Sequence, residues 1–287
     1  MFVSRPPIEW RPESFRWWFL PCWLGLDAPL VALTWTWAIS QAAQSMLRTR
    51  ATSMLFLVVW SIYLLDRLID VARCKDWEHA TGRLRFGRCF PQLFWACLGV
   101  CIAGMIAMLG LGLRSEVVWR GTIVFLGVCL HFLVFVVPVF LRRKLFGKEL
   151  GVGLFFAFGA YACLGGTMGS LPLFGSLALV VTFNCLVIAS RDADSDRAND
   201  PGGASHWWRS MHRDLLWIGT AFTIAAIIAA ALAEQTAFYL ALAAAFAALT
   251  VLHLRSRCLS GDAVRSLADF ALLIPLPVIG LTQLIGS

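Results

Sequence analysis

LLWIGTAFTIAAIIAAALAEQTAFYLALAAAFAALTVL, residues 215–252, holds a single acid and no base. A helix crossing a bilayer core uses about 20 apolar residues, so this stretch is too long for one crossing. Glu234-Gln235 in its middle is the natural turn between two helices. Working outward from it, apolar runs bounded by charged or turn residues predict spans near 22–42, 53–72, 91–112, 121–141, 150–169, 173–191, 214–233, 237–254 and 267–285. The expected fold is all-α: a polytopic membrane protein of nine transmembrane helices in one membrane domain over 1–287. Composition agrees, because 14% charged and 59% hydrophobic residues fall far from the roughly 25% charged residues of a soluble domain.

Lysine and arginine positions set the expected orientation, since cytoplasmic connections carry the excess. Nineteen lie on one side: Arg5, Arg11 and Arg16 in the N-terminal tail, five in 73–90, four in 142–149, four from Arg191 to Arg213, and three in 255–265. Four lie on the other side, Arg48, Arg50, Arg114 and Arg120, and Arg67 sits within the second span. The split places the N-terminus in the cytoplasm and the C-terminus on the opposite side. The net charge of +7 therefore calls for no nucleic-acid partner, and no obligate protein partner is evident.

Residues 1–21 read as an interfacial segment, with Trp10, Trp17, Trp18 and Trp23 expected at the lipid headgroups. They lack the basic, apolar and small-residue pattern of a cleavable signal. The nine cysteines, including Cys97, Cys101, Cys129, Cys163 and Cys185 within apolar runs, show no metal-binding spacing and read as small core residues.

Acidic groups are costly at the ends of such spans and usually mark a cavity, an ion or a partner. The second span ends in WSIYLLDRLIDVARCK (60–75), with Asp66 and Asp70 four residues apart. The sixth ends in FNCLVIASRDADSDRAND (183–200), with Asp192, Asp196 and Asp200 at the same interval and Asn184 farther up the same stripe. Four residues advance a helix by about 400°, so these side chains are neighbours one turn apart. Carboxylates so close repel unless a cation lies between them, and Mg2+ takes one or two carboxylates together with substrate phosphates. Asp194 and Asp200 read instead as solvated helix-end groups. The connections that follow, 73–90 and 192–213, are rich in arginine and histidine, whose forks suit phosphate oxygens.

This pattern resembles the UbiA superfamily of intramembrane prenyltransferases. WLGLDAPLVAL (23–33) looks like the entry to that family's first helix, YLLDRLID (63–70) like its first Asp-rich motif, and RDADSDRAND (191–200) like its second. The resemblance implies a UbiA-like bundle that transfers a prenyl group, with Mg2+ as cofactor, from an isoprenyl diphosphate to a lipophilic acceptor among membrane lipids. Asp66, Asp70, Asp192 and Asp196 would be the catalytic metal ligands, Asn184 a substrate-binding residue, and Arg83 and Arg142 or Lys148 diphosphate contacts. The chain departs from the family pattern where Ile62 and Tyr63 replace Asn and Asp of the first motif, and where Ala193 takes the first Asp position of the second. It thus reads as a variant branch.

Two other functions stand beside this one. A CDP-alcohol phosphotransferase needs a D-G-x-x-A-R motif, but Asp70-Val71-Ala72-Arg73 lacks the glycine. A non-enzymatic transporter or scaffold would use the carboxylates as an ion relay, ordinarily on interrupted helices. Of the remaining features, Gly151, Gly153, Gly159, Gly165, Gly166 and Gly169 predict close helix contact along the fifth span. His131 and Tyr63 are expected to pack, with Tyr63 near the cavity, and Asp269 to sit in the first turn of the last span, where a helix dipole favours an acid.

Overall fold

The structure, a computed structural model, describes residues 16–74, 76–77, 80–136, 147–164, 170–193, 204 and 208–286. Asp196 and Arg142 fall outside them, as do Trp10, Gly165, Gly166 and Gly169. Eleven helices of eight residues or more are described: α1 Asp27–Ala42, α2 Thr49–Arg73, α3 Gly82–Cys89, α4 Pro91–Gly110, α5 Ser115–Val136, α6 Gly147–Leu164, α7 Leu171–Arg191, α8 Met211–Leu232, α9 Thr236–Arg255, α10 Gly261–Ala271 and α11 Pro275–Gly286.

The 215–252 stretch folds as the hairpin expected, α8 and α9 packing together and turning between Ala233 and Gln235. α6 pairs with α7, and α2 packs on both α1 and α4. α7 and α9 lie innermost, with about half their residues buried, whereas α4 and α5 bury few of theirs. What α4 and α5 present outward is Trp95, Val100, Ile106, Phe125 and Leu130, a surface suited to acyl chains and costly in water. Trp35, Leu177, Val187 and Leu249 fill the centre.

Six helical stretches among the described residues are long and apolar enough to cross a membrane, or seven if one bent pair forms a single span. The two long helices outside that set are α2 and α6, which carry Asp66, Arg67 and Asp70 and Lys148 and Glu149.

The first and last spans are interrupted. A short helical turn, Trp17–Trp23, meets α1 at 79°. Gly25 permits the corner: its φ is +65°, and a Cβ there would come within 3.3 Å of the Tyr63 Cβ. In the last span Pro275 and Pro277 supply no N–H. The turn Leu272–Ile274 instead closes i→i−3 bonds back to Asp269, Phe270 and Ala271 before α11 begins.

Several expectations need correction. Trp23 does not face headgroups; it is 1% exposed and stacks on Phe86 at 5.4 Å, while Trp17 is exposed. Asp269 is not in a first turn. The helix starts at Gly261, so Asp262 holds that place and Asp269 lies near the other end, where the dipole disfavours an acid. The cause is the amphipathic segment 261–266, which extends the helix back before the apolar run begins. The connection 73–90 contains a helix, α3, so Arg83 is helical and not in a loop.

The glycine stripe behaves as predicted where it is described. A Cβ at Gly153 would strike Thr182 Oγ1 and the Ala178 carbonyl of α7, and one at Gly151 would meet His131 of α5 at 2.5 Å. His131 packs edge-on against Phe155, and Tyr63 against Phe156. None of the nine cysteines is in a disulfide.

Candidate functional site

The end of α2 brings three charged residues into one turn. Asp66 and Asp70 lie on one stripe, and Arg67 turns away towards α3, where a Cβ on Gly87 would sit 3.5 Å from its Cγ. That glycine leaves room for the Arg67 stem to enter the core, and the residue is only 3% exposed. Its Nε and Nη1 are buried without a hydrogen-bond partner.

α3 then returns Arg83 to α2. Its Nη2 stands 3.6 Å from Asp70 Oδ2 with the carboxylate one-third exposed, while its Nε is a third buried donor without a partner. The charges acting on Asp66 are those of Asp70, Lys148, Arg67 and Arg83, so α6 also contributes a cation to the α2 carboxylates. The result is a pair of carboxylates and three cations from α2, α3 and α6, with guanidinium N–H groups to spare. Buried donors of this kind are costly unless something accepts from them, and an anion with several oxygens would do so. Two carboxylates one turn apart also fit Mg2+, which completes its octahedron with water and phosphate oxygens.

The second acidic helix end is arranged differently. Asp192 follows α7 directly, its N–H bonded to the Ile188 carbonyl, and its Oδ2 forms an ion pair with Arg265 of α10. Both side chains are nearly buried, at 5% and 9% exposure. Arg191 beside it donates through Nε and Nη2 to the Leu259 carbonyl. A carboxylate already matched by a buried guanidinium fits a cation only by giving that partner up.

Asn184 is buried in α7 and donates from Nδ2 to Asp269 Oδ1 at 3.0 Å, with its own Oδ1 unpartnered. Sequence reasoning put it on the Asp192 stripe; the structure ties it to Asp269. Asp269 in turn faces Asp27, with carboxylate oxygens of the two within 4.8 Å of each other. Motif spacing does not single out Arg67, Asp27 or Asp269 as site residues. A lone arginine inside a span was the available signal for Arg67, by the rule that intramembrane charge is functional. Asp27 and Asp269 are far apart in sequence, and no spacing links them.

No family model matches the chain, and no curated protein matches it in sequence. Among solved structures it is similar to the apo structure of a UbiA homolog from Aeropyrum pernix K1. The TM-score is 0.61, with 13% identity, 89% of this chain and 98% of that chain covered. At that identity the likeness concerns architecture, and the architecture of this all-α membrane bundle is the UbiA fold.

Proposed function

We propose that the protein is an intramembrane prenyltransferase, moving a prenyl group from an isoprenyl diphosphate to a lipophilic acceptor. The observation that carries this reading is that Asp70, one turn from Asp66, faces Arg83 at 3.6 Å, with unpartnered buried donors on Arg83 and on Arg67 of the same turn, at one end of an apolar bundle of UbiA fold. Asp66 and Asp70 hold Mg2+, joined by Asp192 and Asp196 of the second motif. When bound, the metal neutralises the charge that develops on the diphosphate as the allylic C–O bond ionises. Arg67, Arg83 and Lys148 take the remaining phosphate oxygens, with Arg142 as a further contact, and fix the leaving group in place. The apolar interior receives the prenyl tail and keeps water from the cation formed at C1. Asn184 orients the substrate from α7. Asp192 would hold the metal only by giving up Arg265.

Counting α2 and α6 as inserted along with the seven other crossings gives nine spans. The charge split then puts the N-terminus and the Asp66/Asp70 end on the cytoplasmic side, where soluble diphosphates are accessible.

The test is direct. Purified protein given labelled farnesyl or geranylgeranyl diphosphate, Mg2+ and a lipid extract as acceptor source should release pyrophosphate, and Asp66→Ala should abolish release. Metal-independent turnover unchanged in Asp66→Ala would reject the proposal. The interrupted first and last spans favour a transporter as the second reading, since transporters use broken helices at their sites. Uptake of the diphosphate lipid into vesicles without pyrophosphate release would select it.

A further inference from the structure

Cys22, Asp27 and Asp269 present one ligand atom each, all within 4.8 Å of one another. They come from three elements: the short turn before the 79° corner, the first residue of α1 after it, and α10 just before the proline break. Together they line a cavity of about 60 Å³ with Trp18, Ser266 and Leu273.

Two further groups point to a ligand. Ser266 lines the same cavity, is 3% exposed, and its Oγ has no hydrogen-bond partner. Asn184, bonded to Asp269 through Nδ2, keeps a buried Oδ1 that is likewise unpartnered. Buried polar groups without partners are rare because their lost hydration is not repaid. Two facing carboxylates add to that cost unless a proton or a cation lies between them. Arg265, whose charge acts on Asp269, is committed to Asp192.

We propose that this cluster binds a divalent transition metal of the zinc type, separate from the Asp66/Asp70 pair. Carboxylates alone would suit Mg2+, but a thiol in the donor set selects a softer ion. Zinc sites built from three protein ligands leave a fourth position for water, and the unpartnered Ser266 Oγ lines the cavity in which that water would sit. Donors on one Zn2+ at about 2.0–2.3 Å stand about 3.5 Å apart, so closure asks for a shift of roughly an ångström. The cavity is several times the 10–15 Å³ that a water needs. Binding releases the thiol proton, and any proton shared by the two carboxyls, to solvent. The bound ion ties the corner of the first span to the break of the last, joining the two ends of the chain's membrane path.

The inference stands independently of the prenyltransferase reading, and its test needs no turnover. Full-length protein in detergent is stripped with a chelator, reloaded with Zn2+ or Co2+ under excess Mg2+, and desalted. Elemental analysis should then find about one zinc per chain. The cobalt form should show a thiolate-to-metal band in the near ultraviolet, absent in Cys22→Ser. Asp27→Asn and Asp269→Asn should each lower metal affinity roughly tenfold or more, whereas Asp66→Asn should keep the zinc. Absence of bound metal in monodisperse wild-type protein would overturn the proposal. So would a cobalt spectrum without the thiolate band, zinc retained equally in Asp269→Asn, or zinc lost in Asp66→Asn. Because the cobalt band is read on wild-type protein, the proposal stays testable if an aspartate variant fails to fold.

Discussion

Asp70 and Asp192 occupy matching places in sequence, each in an acidic motif at the end of a long apolar helix, yet the fold treats them differently. Asp70 meets Arg83 at 3.6 Å with a third of its side chain open. Asp192 is closed off against Arg265, and neither partner is more than 9% exposed. The loose pair can open to the proposed metal and diphosphate at little cost, since partly solvated ion pairs contribute only about 0–1 kcal/mol. The sealed pair resists separation. Equal spacing of acids therefore does not make two equal half-sites. The partner arriving from elsewhere in the chain decides, α3 in one case and α10 in the other.

The contrast breaks first if the sealed pair is not sealed. Arg265→Met leaves Asp192 as a buried unpaired carboxylate and should cost about 3–5 kcal/mol of stability, seen as a marked fall in Tm in detergent. Asp192→Asn/Arg265→Met should recover most of it, because removing both charges also removes the desolvation that each suffers. A single variant as stable as the parent would mean that Asp192 is as available as Asp70.

On the open side the largest effect belongs to Asp66. Asp66→Asn preserves shape while weakening the grip on metal, and pyrophosphate release should fall about 100-fold, equivalent to roughly 2.7 kcal/mol. The melting temperature should scarcely change. The split sharpens the comparison, with function lost at α2 and stability lost where α10 seals the end of α7.

Arg67 should show the opposite signs in one residue. It is a buried guanidinium with two nitrogens lacking acceptors, so replacement by a methionine of similar length should stabilise the unliganded protein, by about 1 kcal/mol. The same change removes donors proposed to grip the diphosphate and should weaken its binding about tenfold, near 1.4 kcal/mol. Calorimetric titration with the diphosphate, beside a melting curve, measures both. A variant that loses stability without losing affinity would assign Arg67 to the scaffold alone.

Much of the architecture was legible in the sequence because membrane insertion leaves a one-dimensional record. The turn at Glu234-Gln235, the glycines against Thr182 and His131, and the apolar runs now seen as helices follow from the chemistry of lipid and of close packing. The site was legible only where its parts are neighbours in sequence. Asp66 and Asp70 could be paired by helical spacing, but their cations could not, since Arg83 reaches them through a helix that composition disguised as a charged loop. Trp23 misled because an indole at a membrane boundary and an indole stacked on Phe86 have the same flanking sequence. Asp269 misled because the apolar run suggested a helix start several residues late. Its association with Asp27 and Asn184 depends on three segments that only the folded bundle brings together.

The smallest effect concerns how α3 is held. The Arg88 guanidinium lies over the Trp77 ring at 4.3 Å, tying the end of α3 to the connection that leaves α2. At a partly exposed site such a stack contributes about 0.5–1 kcal/mol, so Arg88→Leu should shift stability little. Its consequence should be positional. Arg83 lies five residues earlier on the same eight-residue helix, and its proposed phosphate contact depends on where that helix rests against α2. Arg88→Leu should therefore raise KM for the diphosphate roughly two- to threefold, in line with the loss of up to about 1 kcal/mol, and leave kcat nearly unchanged. Arg88→Lys, which keeps the cation over the ring, should restore most of the difference. If Arg88→Leu instead lowered kcat and left KM alone, α3 would be acting on the transition state, and Asp70 with Arg83 would form a unit as tightly coupled as Asp192 with Arg265.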